Sequence, residues 1–339
     1  MTTKTKTFII AEAGVNHNGS LVIAKQLIDA AKNTGADAIK FQTFNADRLV
    51  AKTAEKAAYQ KKRSDKNKYQ YSMLKKLELS KNDHQVLIRY CGKKRIKFIS
   101  SAFDEGSADL LAELGGDLFK IPSGEITNTP YLKHIARKNK PLIVSTGMST
   151  LGEVEKAIET IYSTGNKDVT LLHCVTEYPA PYEEINLRAM ITLRDAFHAP
   201  VGYSDHTTGI EIAVAAVAMG AVVIEKHFTL DKKMDGPDHK ASLQPDEFKE
   251  MVRSIRNIEI ALGDGRKVPA PCEMKNMQVT RKSIVSRIEI KQGEALSLEN
   301  TVIKRPGNGI QPCDLDKILG RTVKMTIQPD QVITWENLS

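Results

Sequence analysis

Eight times over roughly 260 residues the sequence repeats one unit, a short β-rich run followed by an amphipathic helical stretch. The runs are FIIAEAG (8–14), AIKFQTF (38–44), KFISSAF (97–103), LFKIPSG (118–124), PLIVSTGM (141–148), VTLLHCV (169–175), VGYSDH (201–206) and VVIEKHF (222–228). Each starts nearly continuously apolar, as a strand buried on both faces must, and becomes polar at its C-terminal end. Ser20 caps the helical stretch LVIAKQLIDAAKNTG, which closes on Gly35. Further helical patterns lie in NDHQVLIRYCGKK, SADLLAELGG, GEVEKAIETIYSTG, INLRAMITLRDAF, IEIAVAAVAMGA and PDEFKEMVRSIRNIEIALG. This alternation predicts an α/β chain whose residues 1–262 form a (β/α)8 TIM barrel. The competing fold, an open doubly wound sheet, usually carries GxGxxG after its first strand, whereas the first turn here reads GVNHNGS.

Two segments depart from the repeat. Residues 45–82, between the second strand and its helix, are rich in Lys, Gln and Tyr. A connection that long reads either as a lid whose cations face an anionic site or as a solvated helical excursion. Residues 263–280, with GDGRKVPAPCEMKN, have turn residues and no apolar period, and read as a linker. Residues 281–339 hold the short β-like pieces SIVSRIEI and TVKMTI, which predict a small β-rich domain near the lower size limit for an independent core.

Composition narrows the function classes. No apolar run approaches the length of a membrane span, and no basic-then-apolar leader follows Met1, so the expectation is a cytoplasmic protein without a membrane partner. Asn18-Gly19-Ser20 fits a glycosylation acceptor, which would matter only after secretion. Cys91, Cys174, Cys272 and Cys313 form no CxxC pair and read as free thiols. The formal charge of +8 would allow nucleic acid, but aromatics make up only 6% of residues and do not interleave with Arg. Small anionic substrates explain a modest basic excess as well, and no nucleic-acid partner is expected.

In such a barrel the active site lies at the C-terminal ends of the strands. Glu12, Asn16 and His17 follow the first strand, Lys40 and Gln42 the second, and Ser100 and Ser101 the third. Lys120, Ser123 and Glu125 belong to the fourth, Ser145 and Thr146 to the fifth, and His173, Cys174, Thr176 and Tyr178 to the sixth. Ser204, Asp205 and His206 end the seventh; Glu225, Lys226 and His227 end the eighth. Lys40 and Lys120, with the hydroxyls of Ser101, Ser123, Ser145 and Ser204, suit a phosphate and a carboxylate. His206 and His227 on neighbouring strands suit a divalent ion, though a lone strand-end His is commonly a hydrogen-bonded core residue. Lys40, Lys120 or Lys226 could instead form a Schiff base, as in barrel aldolases.

The segments AEAGVNHNGS, IKFQTF, KIPSGE, STGMST, LLHC–TEYPAPYEE, GYSDHT, EKHFTLD, GPDHKAS and KRPGNG resemble the bacterial sialic acid (N-acetylneuraminate) synthases, including the legionaminate and pseudaminate synthases. The resemblance runs in order along nearly the whole chain, and the C-terminal domain resembles an antifreeze-like (SAF) domain. It implies that phosphoenolpyruvate condenses with an N-acetylmannosamine-type sugar to give N-acetylneuraminate and phosphate with C–O cleavage. The alternative product is N,N'-diacetyllegionaminate, from 2,4-diacetamido-2,4,6-trideoxymannose. Residue by residue, Lys40, Ser101, Lys120, Ser123, Ser145 and Ser204 resemble the family's phosphoenolpyruvate contacts. His206 and His227 resemble its ligands for Mn2+ or Mg2+, and Gln42, Tyr178 and Asp238 its sugar contacts. Glu12 is implied to place or deprotonate the water, and Glu125 and Glu225 line the same mouth. Arg305, in KRPGNG, is implied to reach the sugar of the other subunit in a domain-swapped homodimer. Val175 and Thr176 stand where relatives often carry an amide side chain, Ser101 where many carry Thr, and the region around Asn276 and Met277 does not clearly match the relatives' sugar-facing cap. A Schiff-base lyase, a sugar- or ice-binding protein built on the C-terminal domain, and a nucleic-acid binder are the rival classes.

Overall fold

The computed structural model describes residues 6–56 and 69–339. The chain divides into two compact units, 1–263 and 264–339. In the first, eight strands form a closed barrel in sequence order, every neighbouring pair parallel. They are β1 (Phe8–Gly14), β2 (Ala38–Thr43), β3 (Lys97–Ala102), β4 (Phe119–Ile121), β5 (Leu142–Ser145), β6 (Val169–His173), β7 (Val201–Asp205) and β8 (Val223–His227). Each lies within the segment expected from its apolar start.

The helices follow the sequence pattern. Ser20 Oγ accepts from Ile23 N at 3.4 Å to open the helix Leu21–Thr34, and Gly35, at φ 85°, closes it. The helix Thr129–Ala136, between β4 and β5, is additional to the expected ones. Its signals are Asn128, whose side chain accepts from Tyr131 N at 3.3 Å, and Pro130 in the first turn.

Strand alternation sorts the side chains into two layers. Ile10, Ala38, Ile99, Ile143, Leu172 and Val223 form a buried apolar cluster filling the barrel lumen. Residues of the opposite parity, among them Ile9, Ile39, Val144, Leu171 and Ile224, join the larger core that packs against the helices. Gly202 sits where the lumen is tightest: a Cβ there would lie 2.3 Å from Val223 O and 2.7 Å from Leu172 Cδ2. Two residues beyond each lumen position the polar residues begin.

In the connection after β2, short helices cover Ala46–Leu49 and Gln70–Lys75. Asp47 ties them, accepting from Tyr71 Oη at 2.8 Å and Lys75 Nζ at 3.1 Å. The most basic part of this connection, 57–68, lies outside the described residues.

The second unit has its own core of Ile284, Ile290, Leu296, Ile310, Ile318, Val323, Ile327, Ile333 and Leu338. β9 (Ser283–Ser286) pairs antiparallel with β10 (Thr301–Lys304). The expected strand TVKMTI is replaced by isolated bridges at Thr322, Val323 and Ile327, because the chain bends at Lys324 and Met325 between them. The segment read as a linker contains a helix, Met274–Thr280. All four cysteines are free. Among the described residues no helix is long and apolar enough to cross a membrane.

Candidate active site

The polar layer above the apolar lumen forms the floor of a cleft of about 430 Å3 at the C-terminal ends of the strands. Glu12, Lys40, Gln42, Ser101, Lys120, Ser123, Glu125, Ser145, Tyr178, Ser204, His206, Glu225, His227 and Asp238 all line it. Thus the barrel residues expected to bind the substrates, the metal and the water reach one cavity, while Asn16, His17, Ser100, Thr146, His173, Asp205 and Lys226 do not line it. Arg305 belongs to the second unit, where it follows β10 and is exposed.

At the floor two ammonium groups face two carboxylates. Lys40 Nζ lies 2.5 Å from Glu12 Oε2 and 3.4 Å from Glu225 Oε2, and donates to Ser101 Oγ at 2.8 Å. Lys120 Nζ donates to Ser145 Oγ at 2.5 Å and Ile121 O at 3.1 Å, and stands 3.9 Å from Glu225 Oε1. Ser204 Oγ donates to Glu225 Oε1 at 2.9 Å, and Gln42 Nε2 to Glu12 Oε1 at 3.4 Å.

Electrostatics separate the two carboxyls. Burial raises Glu12 to about 7 despite the opposing pull of Lys40, with Glu225 adding to the rise. Burial also works to raise Glu225, but Lys120 and Lys40 outweigh it and hold Glu225 at about 2. Burial lowers Lys120 although Glu225 opposes it. For Lys40 burial is outweighed by Glu12 and Glu225, and the shift is upward. One carboxyl able to exchange a proton near neutrality beside one fixed as an anion is the arrangement that divides acid–base from electrostatic work.

The imidazoles stand on the β7–β8 side. His206 Nδ1 donates to Val175 O at 2.6 Å, which leaves the lone pair on Nε2. His227 Nδ1 is buried without a hydrogen-bond partner. Burial lowers both, His227 further because His206 and Lys40 are near, which favours the neutral form of each ring. The ring centroids are 5.5 Å apart, and Tyr178 packs on both, at 4.3 Å and 5.4 Å. Two neutral imidazoles, one with an unpaired buried nitrogen, fit a divalent ion such as Mn2+ or Mg2+ completed by water and substrate oxygens. Among the described residues no group of three or more His, Cys, Asp and Glu side chains is placed to hold a metal.

Strand parity corrects one expectation. Lys226 lies outside the cleft, donating from Nζ to Asp205 Oδ2 and Thr207 O, each at 2.7 Å, with Lys226 and Asp205 fully buried. It is therefore unavailable as an imine-forming lysine. Ser100 likewise turns outward, to the Thr43 hydroxyl at 2.6 Å.

The cleft also contains residues to which the sequence assigned no role, one of them the strand-end Cys174. Cys174 Sγ is 3.2 Å from Ser123 Oγ, which also accepts from Gly147 N at 3.0 Å. Cys174 follows lumen-facing Leu172 by two, a spacing that could have identified it. Among the described residues of the connection after β2, Leu49, Gln70, Met73, Leu74 and Leu77 line the cleft. Lys75 is paired with Asp47 and Glu78 instead.

Residues 27–267 match the NeuB family, and residues 281–339 match the SAF domain. The N,N'-diacetyllegionaminic acid synthase of Campylobacter jejuni is 53% identical over 97% of this chain and 99% of its own. The protein of the same name from Legionella pneumophila is 51% identical over 98% of this chain and 94% of its own. The crystal structure of an N-acetylneuraminic acid (sialic acid) synthetase from Leptospira borgpetersenii, in complex with citrate, is 34% identical with a TM-score of 0.73, covering 81% of this chain and 91% of that one. The chain belongs to the NeuB family, as an enzyme of the phosphoenolpyruvate-dependent nonulosonic acid synthases.

Proposed function

We propose that the protein condenses phosphoenolpyruvate with 2,4-diacetamido-2,4,6-trideoxymannose to give N,N'-diacetyllegionaminate and phosphate. The sugar assignment revises the expectation of N-acetylneuraminate. The observation that carries it is the identity of 53% and 51%, over nearly full length, to two N,N'-diacetyllegionaminic acid synthases, against 34% to the sialic acid synthetase.

In this reading Lys40 and Lys120, with Ser101, Ser123, Ser145 and Ser204, hold the phosphate and carboxylate and offset their charge as bonds change. The enol carbon C3 attacks the open-chain aldehyde, water adds at C2, and the tetrahedral intermediate releases phosphate by C–O cleavage. Glu12 accepts the water proton, a task suited to a carboxyl raised to about 7. Glu225, fixed as an anion, orients Lys40 and Lys120. Glu125, half-buried and bonded by Asn128 Nδ2 at 2.6 Å, stands at the rim with Gln42, Tyr178 and Asp238 to position the sugar. His206 and His227 would hold Mn2+ or Mg2+, which when bound supplies Lewis-acid polarisation of the aldehyde oxygen. The enzyme works as a homodimer in which Arg305 completes the partner's sugar site.

The test is direct. The protein is incubated with phosphoenolpyruvate, Mn2+ and either the diacetamido-trideoxy sugar or N-acetylmannosamine. Phosphate release is followed and the product is weighed by mass spectrometry. A higher kcat/KM with N-acetylmannosamine would return the assignment to sialate, and no phosphate release with either sugar would refute the reading.

A further inference from the structure

A site for a polyhydroxylated sugar needs hydrogen-bonding groups along its wall, because a hydroxyl pressed against apolar surface loses its water partners. The cleft meets that need at its floor and along the Tyr178–Asp238 rim. The β2–β3 side is different. There Phe44, Leu49, Met73, Leu74, Leu77 and Phe103 line the cavity. With Val15 they form one packed apolar cluster, separate from the barrel core. Phe44 and Phe103 meet edge to face at 6.1 Å. Of the polar residues on the two short helices Gln70 lines the cleft, whereas Asp47, Tyr71 and Lys75 bond among themselves and to Glu78. Ala46 N is held by Glu78 Oε1 at 2.6 Å, which fixes the first short helix in place. The wall is thus built, with its apolar face turned inward over a charged floor.

We infer that this wall is the specificity element for the acceptor sugar and receives its apolar substituents, the C6 methyl group and an acetamido methyl. The inference rests on the legionaminate reading above and adds to it the residues that enforce it. A methyl group gains by leaving water for this surface, whereas the C6 hydroxyl of N-acetylmannosamine would find no partner among these six apolar side chains, with Gln70 alone of the short helices' polar residues lining the cleft among the described residues. Discrimination by one or two such groups in an apolar pocket amounts to about 10- to 100-fold in kcat/KM.

Leu49 and Leu74 are half-buried, so polar substitutions of similar size there disturb the fold less than at buried Met73 or Leu77. The experiment measures kcat/KM for both sugars, at saturating phosphoenolpyruvate and Mn2+, in wild type, Leu49→Asn, Leu74→Asn and the conservative Leu74→Met. Melting temperatures are compared alongside. Leu74→Asn or Leu49→Asn should cut the preference for the diacetamido-trideoxy sugar about tenfold. Leu74→Met should retain the preference, and KM for phosphoenolpyruvate should stay within about twofold in all. If wild type prefers the diacetamido-trideoxy sugar while both folded Asn variants keep that preference, the wall inference is overturned and the function stands. If wild type prefers N-acetylmannosamine or uses neither sugar, the function reading fails and the inference with it.

Discussion

Replacing Lys120 by Met keeps most of the length of a side chain that is almost wholly buried and removes its charge, together with the N–H groups that bond Ser145 and Ile121. Lys120 is one of two cations at the floor, within 3.9 Å of Glu225 and bonded to Ser145. A phosphoenolpyruvate oxygen held about 4 Å from this ammonium gains about 4 kcal/mol at an effective dielectric near 20. That corresponds to about a thousandfold in affinity. The loss is compounded at Glu225, which Lys120 and Lys40 together keep ionised. In the variant only Lys40, at 3.4 Å, opposes a charge that repels the incoming anion. Lys120→Met should therefore lower kcat/KM for phosphoenolpyruvate by about 100- to 1000-fold, with part of the loss in kcat because the phosphate charge changes during the reaction. The assay is phosphate release at varied phosphoenolpyruvate, with the sugar saturating. Borohydride added to the wild type during turnover should leave every lysine unmodified. A loss smaller than tenfold, or a reduced adduct on Lys120 or Lys40, would refute the electrostatic role and favour imine chemistry.

Glu12 gives a pH signature. Its carboxyl moves from 4.5 to about 7 on burial. The folded state therefore holds the extra proton, and the stability this contributes is full below about pH 4.5 and lost as pH rises to about 7. His206 and His227, lowered in the fold, act in the opposite sense below their unfolded value. The Glu12 effect is therefore read from urea unfolding as the difference between wild type and Glu12→Gln, which should fall from pH 5 to pH 8; a flat difference would contradict the raised carboxyl. Because burial lowers both imidazoles, Mn2+ titrated calorimetrically should lose less affinity between pH 7.5 and pH 6 than a site of solvent-exposed histidines would, and His227→Ala should lose most of that affinity. Arg305→Ala should remain folded, bind Mn2+ and phosphoenolpyruvate, and fail with the sugar. Mixed with His227→Ala under conditions of subunit exchange it should recover activity, and a mixture that exchanges yet stays inactive would show that Arg305 does not act across the dimer.

Much of this architecture is legible in the chain because a buried parallel strand must be apolar on both faces. Eight such runs define the barrel, and the switch from apolar to polar marks where each reaches solvent. The division of the polar ends was less visible. Lys40 and Gln42, Ser204 and His206, and Glu225 and His227 are each two apart, so each pair must share a face. Asp205 and Lys226 fall between and must turn away, a deduction available from alternation once one residue of each strand is placed inside. The apolar wall was hidden for another reason. Leu49, Met73 and Leu74 sit in helices too short to show a period, and Leu77 just beyond the second of them, within a segment rich in Lys, Gln and Tyr. Composition alone does not tell which side chains such a segment turns inward.

The residues turned away are nonetheless part of how the site is held. Lys226 Nζ bridges the Asp205 carboxylate and the Thr207 carbonyl, while Asp205 Oδ1 accepts from Thr207 N at 2.9 Å and Thr207 Oγ1 at 2.7 Å. His206 lies between Asp205 and Thr207, and His227 follows Lys226. The backbone that carries each imidazole is thus anchored from behind by one fully buried ion pair joining β7 to β8. Each member has several bonded partners, which offsets the cost of removing two charges from water. Desolvation in front of the strands favours the neutral imidazoles, and the ion pair behind them anchors the backbone that carries them. Alternation along two adjacent strands supplies both, since one side chain in each pair faces the cleft and the next faces the helix layer.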